Sequence, residues 1–327
     1  MDTLSIVKRM TAPFERKALV RPNLAYYMWR FVGNGGRAAL KLRTRPRHAD
    51  ARGIARELMN QGISVAPSSR FLSDEGSAGL AVAAADMIAQ SRSEEVQAIV
   101  AGTRAAAHGK KAFVVDLVRQ GRIPADSPLL KVALDVKLLE IVASYLGLWP
   151  CLHSVAGWLN YSTDAPAETS QLWHRDPEDL KLVKVFIYLE DVEEAQGPFT
   201  YIPKTQPFGS RAPQALRCQA KRIDDDRMRR FFPPERWKVC TGPAGTMIVA
   251  DTVGFHRGGK PTTGTRLLIT FTYTSGIPFV ERSLGVTAMP DWISSPIQHH
   301  AIEPAVRGYA ALNDKRVRTA APDPKSA

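Results

Sequence analysis

The sequence is poor in cysteine and has no long apolar run. Its 327 residues include three cysteines, Cys151, Cys218 and Cys240. Three scattered thiols are too few for a disulfide framework or a cysteine zinc site, so we expect a reducing compartment. No stretch approaches the roughly 18 consecutive apolar residues of a membrane-spanning helix, and no apolar segment typical of a secretory signal follows the first basic residues. These absences predict a cytoplasmic protein.

Low-complexity composition is also absent. Glycine and proline number 23 each without a period, which excludes a collagen-like chain. Apolar residues make up 44% and charged residues 23%, close to the average of globular proteins. The length suits one large domain or two small ones with a sizeable core.

Acidic residues are scarce in the first 50 positions, where eleven lysines and arginines face three acids, a net charge of +8. The whole chain carries +12. This basic lead-in, residues 1–50, has three interpretations: a solvated extension, a contact for an anionic partner, or an organelle transit segment, which would place the protein in an organelle matrix.

Helical periodicity dominates the next part, residues 51–150. It predicts a helix from Ala51 to Gly62, a short strand at 63–65, a long alanine-rich helix from about Ser73 to Ala101, and a helix from Ser127 to Gly147. Regular patterning is lost again from Ala310, so residues 310–327 are expected to form a frayed tail.

Short strand-like runs separated by turn residues characterise residues 151–309. The predicted strands are 154–161, 183–190, 199–203, 246–250 and 267–274. The charged stretch 222–230 is predicted to be a surface loop or short helix. Strands without intervening helices favour an antiparallel sandwich or barrel, and the chain as a whole is predicted to be α+β.

Two histidines and one aspartate form the chemically informative pattern. His174 and Asp176 are two residues apart, so in extended backbone both point to the same side. His256 follows the predicted strand 246–250. A His-x-Asp pair with a distant histidine is the facial triad of non-haem Fe(II), which leaves three coordination positions open.

Arg266 opens the strand 267–274 ten residues after His256. It shares one face with Leu268 and three threonines, while the opposite face is apolar. The polar face predicts a barrel interior that holds a small acid, because a guanidinium can bind a carboxylate through two parallel hydrogen bonds. The alternative is that this face is the solvent side of an edge strand.

The chain resembles the phytanoyl-CoA dioxygenase family of Fe(II)- and 2-oxoglutarate-dependent oxygenases. The matching stretches are Gln171-Leu-Trp-His-Arg-Asp176, Val185-Phe-Ile-Tyr-Leu-Glu-Asp-Val192, Gln196-Gly-Pro-Phe-Thr-Tyr-Ile-Pro203, Gly245-Thr-Met-Ile-Val-Ala-Asp251, Phe255-His-Arg-Gly-Gly259 and Arg266. They span about residues 150–275, a little over a third of the chain. Relatives often carry a hydroxyl residue where this chain has Gly258, two positions after the second histidine.

The resemblance implies a double-stranded β-helix (jelly-roll) core with the helical part packed on it. It implies His174, Asp176 and His256 as iron ligands and Arg266 as the anchor of the 2-oxoglutarate carboxylate. Asn160 occupies roughly the place of an amide that reaches 2-oxoglutarate in relatives, although an ordinary strand residue is the alternative. Fe(II), 2-oxoglutarate and O₂ are the implied cofactors, and a small molecule is the implied substrate.

Hydroxylation with release of succinate and CO₂ is the expected reaction. Asp176 fills the position that a halogenase leaves free for chloride, whereas desaturation and cyclisation would retain the carboxylate. Two other classes stay open: a catalytically silent β-helix binding protein and a basic nucleic-acid-binding protein. No nucleic-acid-reading motif accompanies the basic charge, so no nucleic-acid partner is expected. Lys184, on an otherwise apolar strand, is expected to extend to solvent.

Overall fold

The computed structural model describes residues 26–106, 113–118, 122–207 and 222–320. Residues 1–25 of the basic lead-in and Cys218 lie outside these ranges. The helices are a π-helical turn Met28–Gly33, α1 (Gly35–Arg43), α2 (Ala51–Gln61), α3 (Asp74–Ser91), α4 (Glu94–Ala106), α5 (Pro128–Ala133), α6 (Val136–Leu146), α7 (Asp225–Arg229) and α8 (Pro296–Ala320). Within the described ranges, no helix is both long and apolar enough to cross a membrane.

Two predicted helices are interrupted. The alanine-rich helix ends at Ser91, and α4 begins after Ser93, whose hydroxyl accepts a hydrogen bond from the Val96 amide at 3.4 Å. The next helix breaks between α5 and α6, where Asp135 caps α6 by accepting from the Leu138 amide at 2.9 Å. Such local side-chain caps compete with the helix backbone, and apolar periodicity does not reveal them.

Other helix ends follow the sequence more closely. Gly62 ends α2 in a left-handed conformation with φ +79°, which glycine adopts without steric cost. The expected loss of structure at Ala310 is wrong, because α8 continues to Ala320. Alanine and leucine after Ala310 are good helix formers, and the first proline beyond is Pro322.

The strands form two antiparallel sheets and one short parallel pair. They are β1 (Ile63–Pro67), β2 (Val114–Asp116), β3 (Arg122–Ile123), β4 (Cys151–Tyr161), β5 (Val183–Tyr188), β6 (Phe199–Tyr201), β7 (Lys238–Cys240), β8 (Thr246–Ala250), β9 (His256–Gly258), β10 (Thr265–Thr274) and β11 (Gly285–Val286). The six-stranded sheet has the order β1-β8-β5-β10-β4-β2, and the three-stranded sheet has the order β7-β6-β9. β3 and β11 pair in parallel. The predicted α+β class with antiparallel sheets is confirmed.

The six-stranded sheet has one apolar and one polar face. From β10, Leu267, Ile269, Phe271 and Tyr273 are buried against the helices in the main core. The alternate residues of β10 face a cavity between the two larger sheets. β10 is a central strand, paired on one side with β4 and on the other with β5, so its polar face is not the solvent side of a sheet edge.

The described part of the lead-in packs onto the core. Trp29 is buried, and its indole N–H donates to Oδ1 of Asp179 at 2.8 Å. The Tyr26 hydroxyl donates to the Leu146 carbonyl at 3.2 Å. From Tyr26 onward, therefore, this region belongs to the folded unit.

Candidate metal centre

His174 and His256 face each other across a single antiparallel backbone bridge. The His174 amide donates to the His256 carbonyl at 2.9 Å, and the His256 amide donates back at 3.0 Å. The Asp176 amide donates to the Thr252 carbonyl at 2.8 Å, which joins the His-x-Asp segment to the turn that leads into β9. These main-chain bonds hold the three side chains at one place although 80 residues separate Asp176 from His256.

The ligating atoms of His174, Asp176 and His256 converge. All three lie within 4.8 Å of one another. His174 Nε2 is 3.6 Å from Asp176 Oδ1, and His256 Nε2 is 3.6 Å from Asp176 Oδ2. The sequence predicts that these residues share one site, and the structure brings them together.

Both imidazoles are oriented by backbone carbonyls. Nδ1 of His174 lies 2.8 Å from the Leu172 oxygen, and Nδ1 of His256 lies 3.0 Å from the Gly254 oxygen. A proton on each Nδ1 leaves the Nε2 lone pair pointing toward Asp176, which is the arrangement of a metal-ligating histidine. Burial, and then the neighbouring His256 ring, lowers the pKa of His174 to about 3, and burial lowers the pKa of His256 as well. Both rings are therefore neutral at physiological pH and able to bind a cation.

Lys184 is part of the site, and the expectation that it extends to solvent is wrong. Its Nζ donates to Asp176 Oδ2 at 2.5 Å and lies 3.7 Å from Glu178 Oε1. Burial acts to raise the pKa of Asp176, but the Lys184 ammonium and the two histidines outweigh burial and hold that pKa below its usual range. The signal in the sequence was a lysine within the apolar run of β5, on the strand face shared with Phe186.

Arg266 lies in the same cavity, where it is 4% exposed. Its Nη1 donates to the Gly259 carbonyl at 3.2 Å, whereas its buried Nε has no hydrogen-bond partner within the described ranges. A buried guanidinium with an N–H that no described residue satisfies can bind an anionic ligand in the cavity.

Asn160 and Gly258 flank this arginine. Asn160 pairs directly with Arg266 across β4 and β10, is buried, and also lines the cavity. Its Nδ2 lies 3.5 Å from the Arg266 carbonyl oxygen, so the amide retains hydrogen-bonding capacity. A Cβ atom on Gly258 would lie 3.1 Å from Nη2 of Arg266, so glycine leaves room beside the guanidinium.

The cavity has a volume of about 1260 Å³ and contains the metal-ligand triad and Arg266. Register across the sheet places Arg266 and Asn160 at one end and Lys184, Thr272 and Ser154 at the other. Phe186 and Phe199 contribute apolar wall beside His256, with the Phe199 and His256 rings stacked at 5.5 Å. The cavity is thus divided by its chemistry into an arginine end and a lysine end.

Trp173, Cys240 and His300 are held by packing and hydrogen bonds outside the cavity. Trp173 is fully buried, its indole N–H donates to Asp225 Oδ1 at 2.8 Å, and its ring packs on Trp237, so it supports the His174 segment. Cys240 is buried in the core. His299 and His300 lie on α8, where the His300 ring packs edge-on against Trp149.

Two imidazoles and one carboxylate fit a divalent transition metal. This donor set suits Fe(II) and related ions better than Ca²⁺ or Mg²⁺, which prefer oxygen ligands. His174, Asp176 and His256 all line the cavity, so a metal ion held by them would lie at its wall, within reach of a small molecule.

No family model matches the chain, and no curated protein is significantly similar to it. The solved structures to which the chain is similar include the non-haem α-ketoglutarate-dependent epimerase SnoN from nogalamycin biosynthesis (16% identity, 76% of this chain and 93% of that chain, TM-score 0.46), EctD from S. alaskensis with 2-oxoglutarate and 5-hydroxyectoine (18%, 71% and 78%, TM-score 0.44), and the non-haem monooxygenase ThoJ (16%, 81% and 99%, TM-score 0.43). Because the identities and TM-scores are this low, the function of this chain is inferred from its own residues.

Proposed function

We propose that this protein is an Fe(II)- and 2-oxoglutarate-dependent oxygenase built on a double-stranded β-helix. One observation carries the proposal. Three metal-ligating atoms lie within 4.8 Å of one another in the cavity that also holds the buried, partly unpartnered guanidinium of Arg266. A triad alone would indicate only a metal site, whereas the arginine adds a binding group for the carboxylate of a co-substrate.

In this proposal His174, Asp176 and His256 hold the metal ion. When bound, Fe(II) supplies O₂ activation coupled to the oxidative decarboxylation of 2-oxoglutarate to succinate and CO₂. The protein keeps both imidazoles neutral through burial and orients them through the Leu172 and Gly254 carbonyls. Lys184 keeps Asp176 ionised and in place.

Arg266 binds the distal carboxylate of 2-oxoglutarate, and Asn160 offers its amide beside it. Because both side chains are buried, water competes little for the carboxylate, so the ion pair is stronger than at a surface. The alternation along β10 aims Arg266 into the cavity, and pairing with β4 places Asn160 next to it.

The substrate occupies the lysine end of the cavity. That end combines Lys184, Glu178 and Thr272 with apolar residues of the segment after β10, including Ile277 and Phe279. The mixed wall suits a small molecule that carries both polar and apolar groups. Hydroxylation is the proposed outcome. Asp176 occupies the ligand position that chloride would need in a halogenase, which argues against halogenation, whereas desaturation and cyclisation would retain this carboxylate.

The proposal is tested with metal-reconstituted protein. Purified protein should bind one Fe(II) per chain, and Asp176→Ala and His256→Ala should lose it, measured by elemental mass spectrometry. With Fe(II), 2-oxoglutarate and O₂, the wild type should release succinate, and under ¹⁸O₂ a hydroxylated product should gain labelled oxygen. A chlorinated product in chloride buffer would exclude hydroxylation as the outcome.

Either of two results would contradict the oxygenase proposal and assign the protein to another functional class. Binding of metal and 2-oxoglutarate without any succinate, even with a broad panel of substrates, would indicate a silent binding protein. Salt-dependent binding of nucleic acid that disappears when residues 1–25 are removed would indicate a nucleic-acid-binding role. Residues 26–50 should be retained in that truncation, because Trp29 is buried in the core.

A further inference from the structure

Thr169 has a backbone conformation that a threonine rarely adopts. Its φ is +46°, in the left-handed region, where a β-branched side chain is sterically disfavoured. It opens a 3₁₀ turn, Thr169–Gln171, that contacts β9 and leads into the His174 segment. Glycine or asparagine would fill this position at lower cost if only the turn mattered. The threonine side chain therefore has a use that the turn does not explain.

The hydroxyl of Thr169 is buried and has no partner among the described residues. Its Oγ1 is inaccessible to solvent and makes no hydrogen bond to any of the residues that the structure describes. Thr169 also lines the cavity that holds Arg266, whose Nε is likewise buried and unpartnered. Glu178 Oε2 and Arg282 Nε, which belong to other residues of the cavity lining, also lack a partner within the described residues. Of these groups, only the Arg266 guanidinium and the turn that carries Thr169 approach Gly258. Because buried polar groups are normally hydrogen-bonded, these two indicate a common ligand.

Gly258 connects the two groups in space. A Cβ atom at Gly258 would lie 3.1 Å from Nη2 of Arg266 and 3.8 Å from the carbonyl oxygen of Ser170, the residue after Thr169. The 3₁₀ turn and the guanidinium thus border the same small volume, and no side chain from residue 258 fills it. A hydroxyl and a guanidinium that approach one volume offer the donors that a carboxylate accepts.

We propose that the Thr169 hydroxyl donates a hydrogen bond to the carboxylate that Arg266 binds, so that Thr169 is a co-substrate-binding residue. This inference rests on the proposed function, because it takes the carboxylate to be that of 2-oxoglutarate. The 3₁₀ turn supplies the hydroxyl that the glycine at 258 does not. The left-handed conformation of Thr169 is then maintained for binding.

The test measures 2-oxoglutarate binding by calorimetry to the full chain loaded with Zn(II), which binds without turnover. Thr169→Val keeps the β-branched shape and removes the hydroxyl, and it should weaken binding by about tenfold to a hundredfold, as expected for loss of a hydrogen bond to a charged group. Thr169→Ser should stay within about threefold of wild type. Thr263→Val, at an exposed threonine, is the matched control and should bind as wild type does.

A second variant separates binding from folding. Thr169→Gly relieves the backbone conformation and removes the hydroxyl, so the melting temperature should rise by a few degrees while 2-oxoglutarate affinity falls as in Thr169→Val. Unchanged affinity in Thr169→Val, or a lower melting temperature in Thr169→Gly, would overturn the role of Thr169. Failure of the wild-type protein itself to bind 2-oxoglutarate would instead overturn the proposed function.

Discussion

The candidate metal centre combines three side chains that could bind a metal with one ammonium group, that of Lys184. Lys184 pairs with Asp176 at 2.5 Å, although Asp176 is also the only carboxylate among the proposed metal ligands. A bound divalent ion and the Lys184 ammonium therefore stabilise the same negative charge. The contribution of the metal ion to stability should therefore be largest when the Lys184 ammonium is absent, and the contribution of Lys184 should be largest in the metal-free protein.

Replacement of Lys184 by methionine should destabilise the metal-free protein by about 3–5 kcal/mol, because it leaves the buried charge of Asp176 uncompensated. Divalent metal should restore part of that loss, so Zn(II) should raise the melting temperature of Lys184→Met more than that of wild type. Urea unfolding in chelator and thermal melts with Zn(II) measure both effects.

Lys137→Met is the matched control for that experiment. Lys137 pairs with Asp50 at 3.2 Å, but Asp50 is 52% exposed, so its loss should cost less than about 1 kcal/mol. Equal stability of the metal-free Lys184→Met and wild-type proteins would show that the pair with Asp176 is not a significant interaction.

Arg266→Ala should lose 2-oxoglutarate affinity and keep the metal. Removal of one partner of a buried, hydrogen-bonded ion pair costs on the order of 2–5 kcal/mol of binding. Calorimetry on the Zn(II)-loaded variant measures the affinity, and elemental analysis measures the metal. Arg307→Ala, at a side chain that is 77% exposed, serves as the control. Wild-type affinity in Arg266→Ala would place the carboxylate anchor elsewhere.

At the scale of elements, a close contact between two turns fixes the position of β9. Gly197, with φ +66°, follows the 3₁₀ turn Glu194–Gln196 and packs against the backbone of Gly259 and Lys260. A Cβ atom there would lie 2.6 Å from the Lys260 carbonyl carbon and would also clash with the Gly259 oxygen. β6 begins at Phe199, two residues after Gly197, and pairs with β9, which carries His256. A change in the contact at Gly197 should therefore shift His256 in the candidate metal site.

Gly197→Ala should therefore destabilise the protein by about 3 kcal/mol or more, through both the left-handed conformation and the clash, and should weaken metal binding. Gly245→Ala separates the two causes. Gly245 has φ +84°, but no atom lies within 4 Å of the position that an alanine methyl group would take, so its substitution should cost about 1–2 kcal/mol and leave metal binding intact. Chemical denaturation and metal titration compare the two variants. Equal losses of stability and of metal affinity would show that the close backbone contact at Gly197 adds nothing to the cost of the left-handed conformation.

At the scale of the whole molecule, a buried polar network joins α6 to the segments around the site. Lys181 Nζ donates to the Tyr145 carbonyl at 2.6 Å, and the Tyr145 hydroxyl donates to Asp251 Oδ2 at 2.5 Å. Asp251 follows β8 and begins the turn whose Thr252 carbonyl binds the Asp176 amide. Burial lowers the pKa of Lys181 from 10.5 to about 8.

This pKa shift gives the free energy of unfolding a defined pH dependence. Between about pH 8 and 10.5 the unfolded chain holds the Lys181 proton more firmly than the folded chain, so the stability contributed by this group rises with pH. That contribution is lost progressively as the pH falls from 10.5 to about 8. The difference in unfolding free energy, wild type minus Lys181→Met, should therefore grow by about 2 kcal/mol from pH 7.5 to 9.5. Denaturant unfolding across that range measures it; a difference independent of pH would mean that Lys181 titrates normally.

The sequence by itself determined the features that depend on neighbouring residues. Alternation with a period of two assigned Arg266 and Thr270 to one face of β10 and Leu267 and Ile269 to the other, because successive strand side chains point to opposite sides. The same rule placed His174 and Asp176 on one side of the chain. Glycine in a left-handed conformation ended α2 where the sequence predicts, since few other residues adopt it without cost.

Only the tertiary structure decided which distant groups meet. The partner of Lys184 is set by how β5 lies beside the His174 segment, and the orphaned hydroxyl of Thr169 is recognisable only once the cavity around it exists. Ion pairing and burial depend on the residues that surround a side chain in space. The sequence pattern specifies the chemical groups of a side chain, but only the folded structure determines which groups lie next to them.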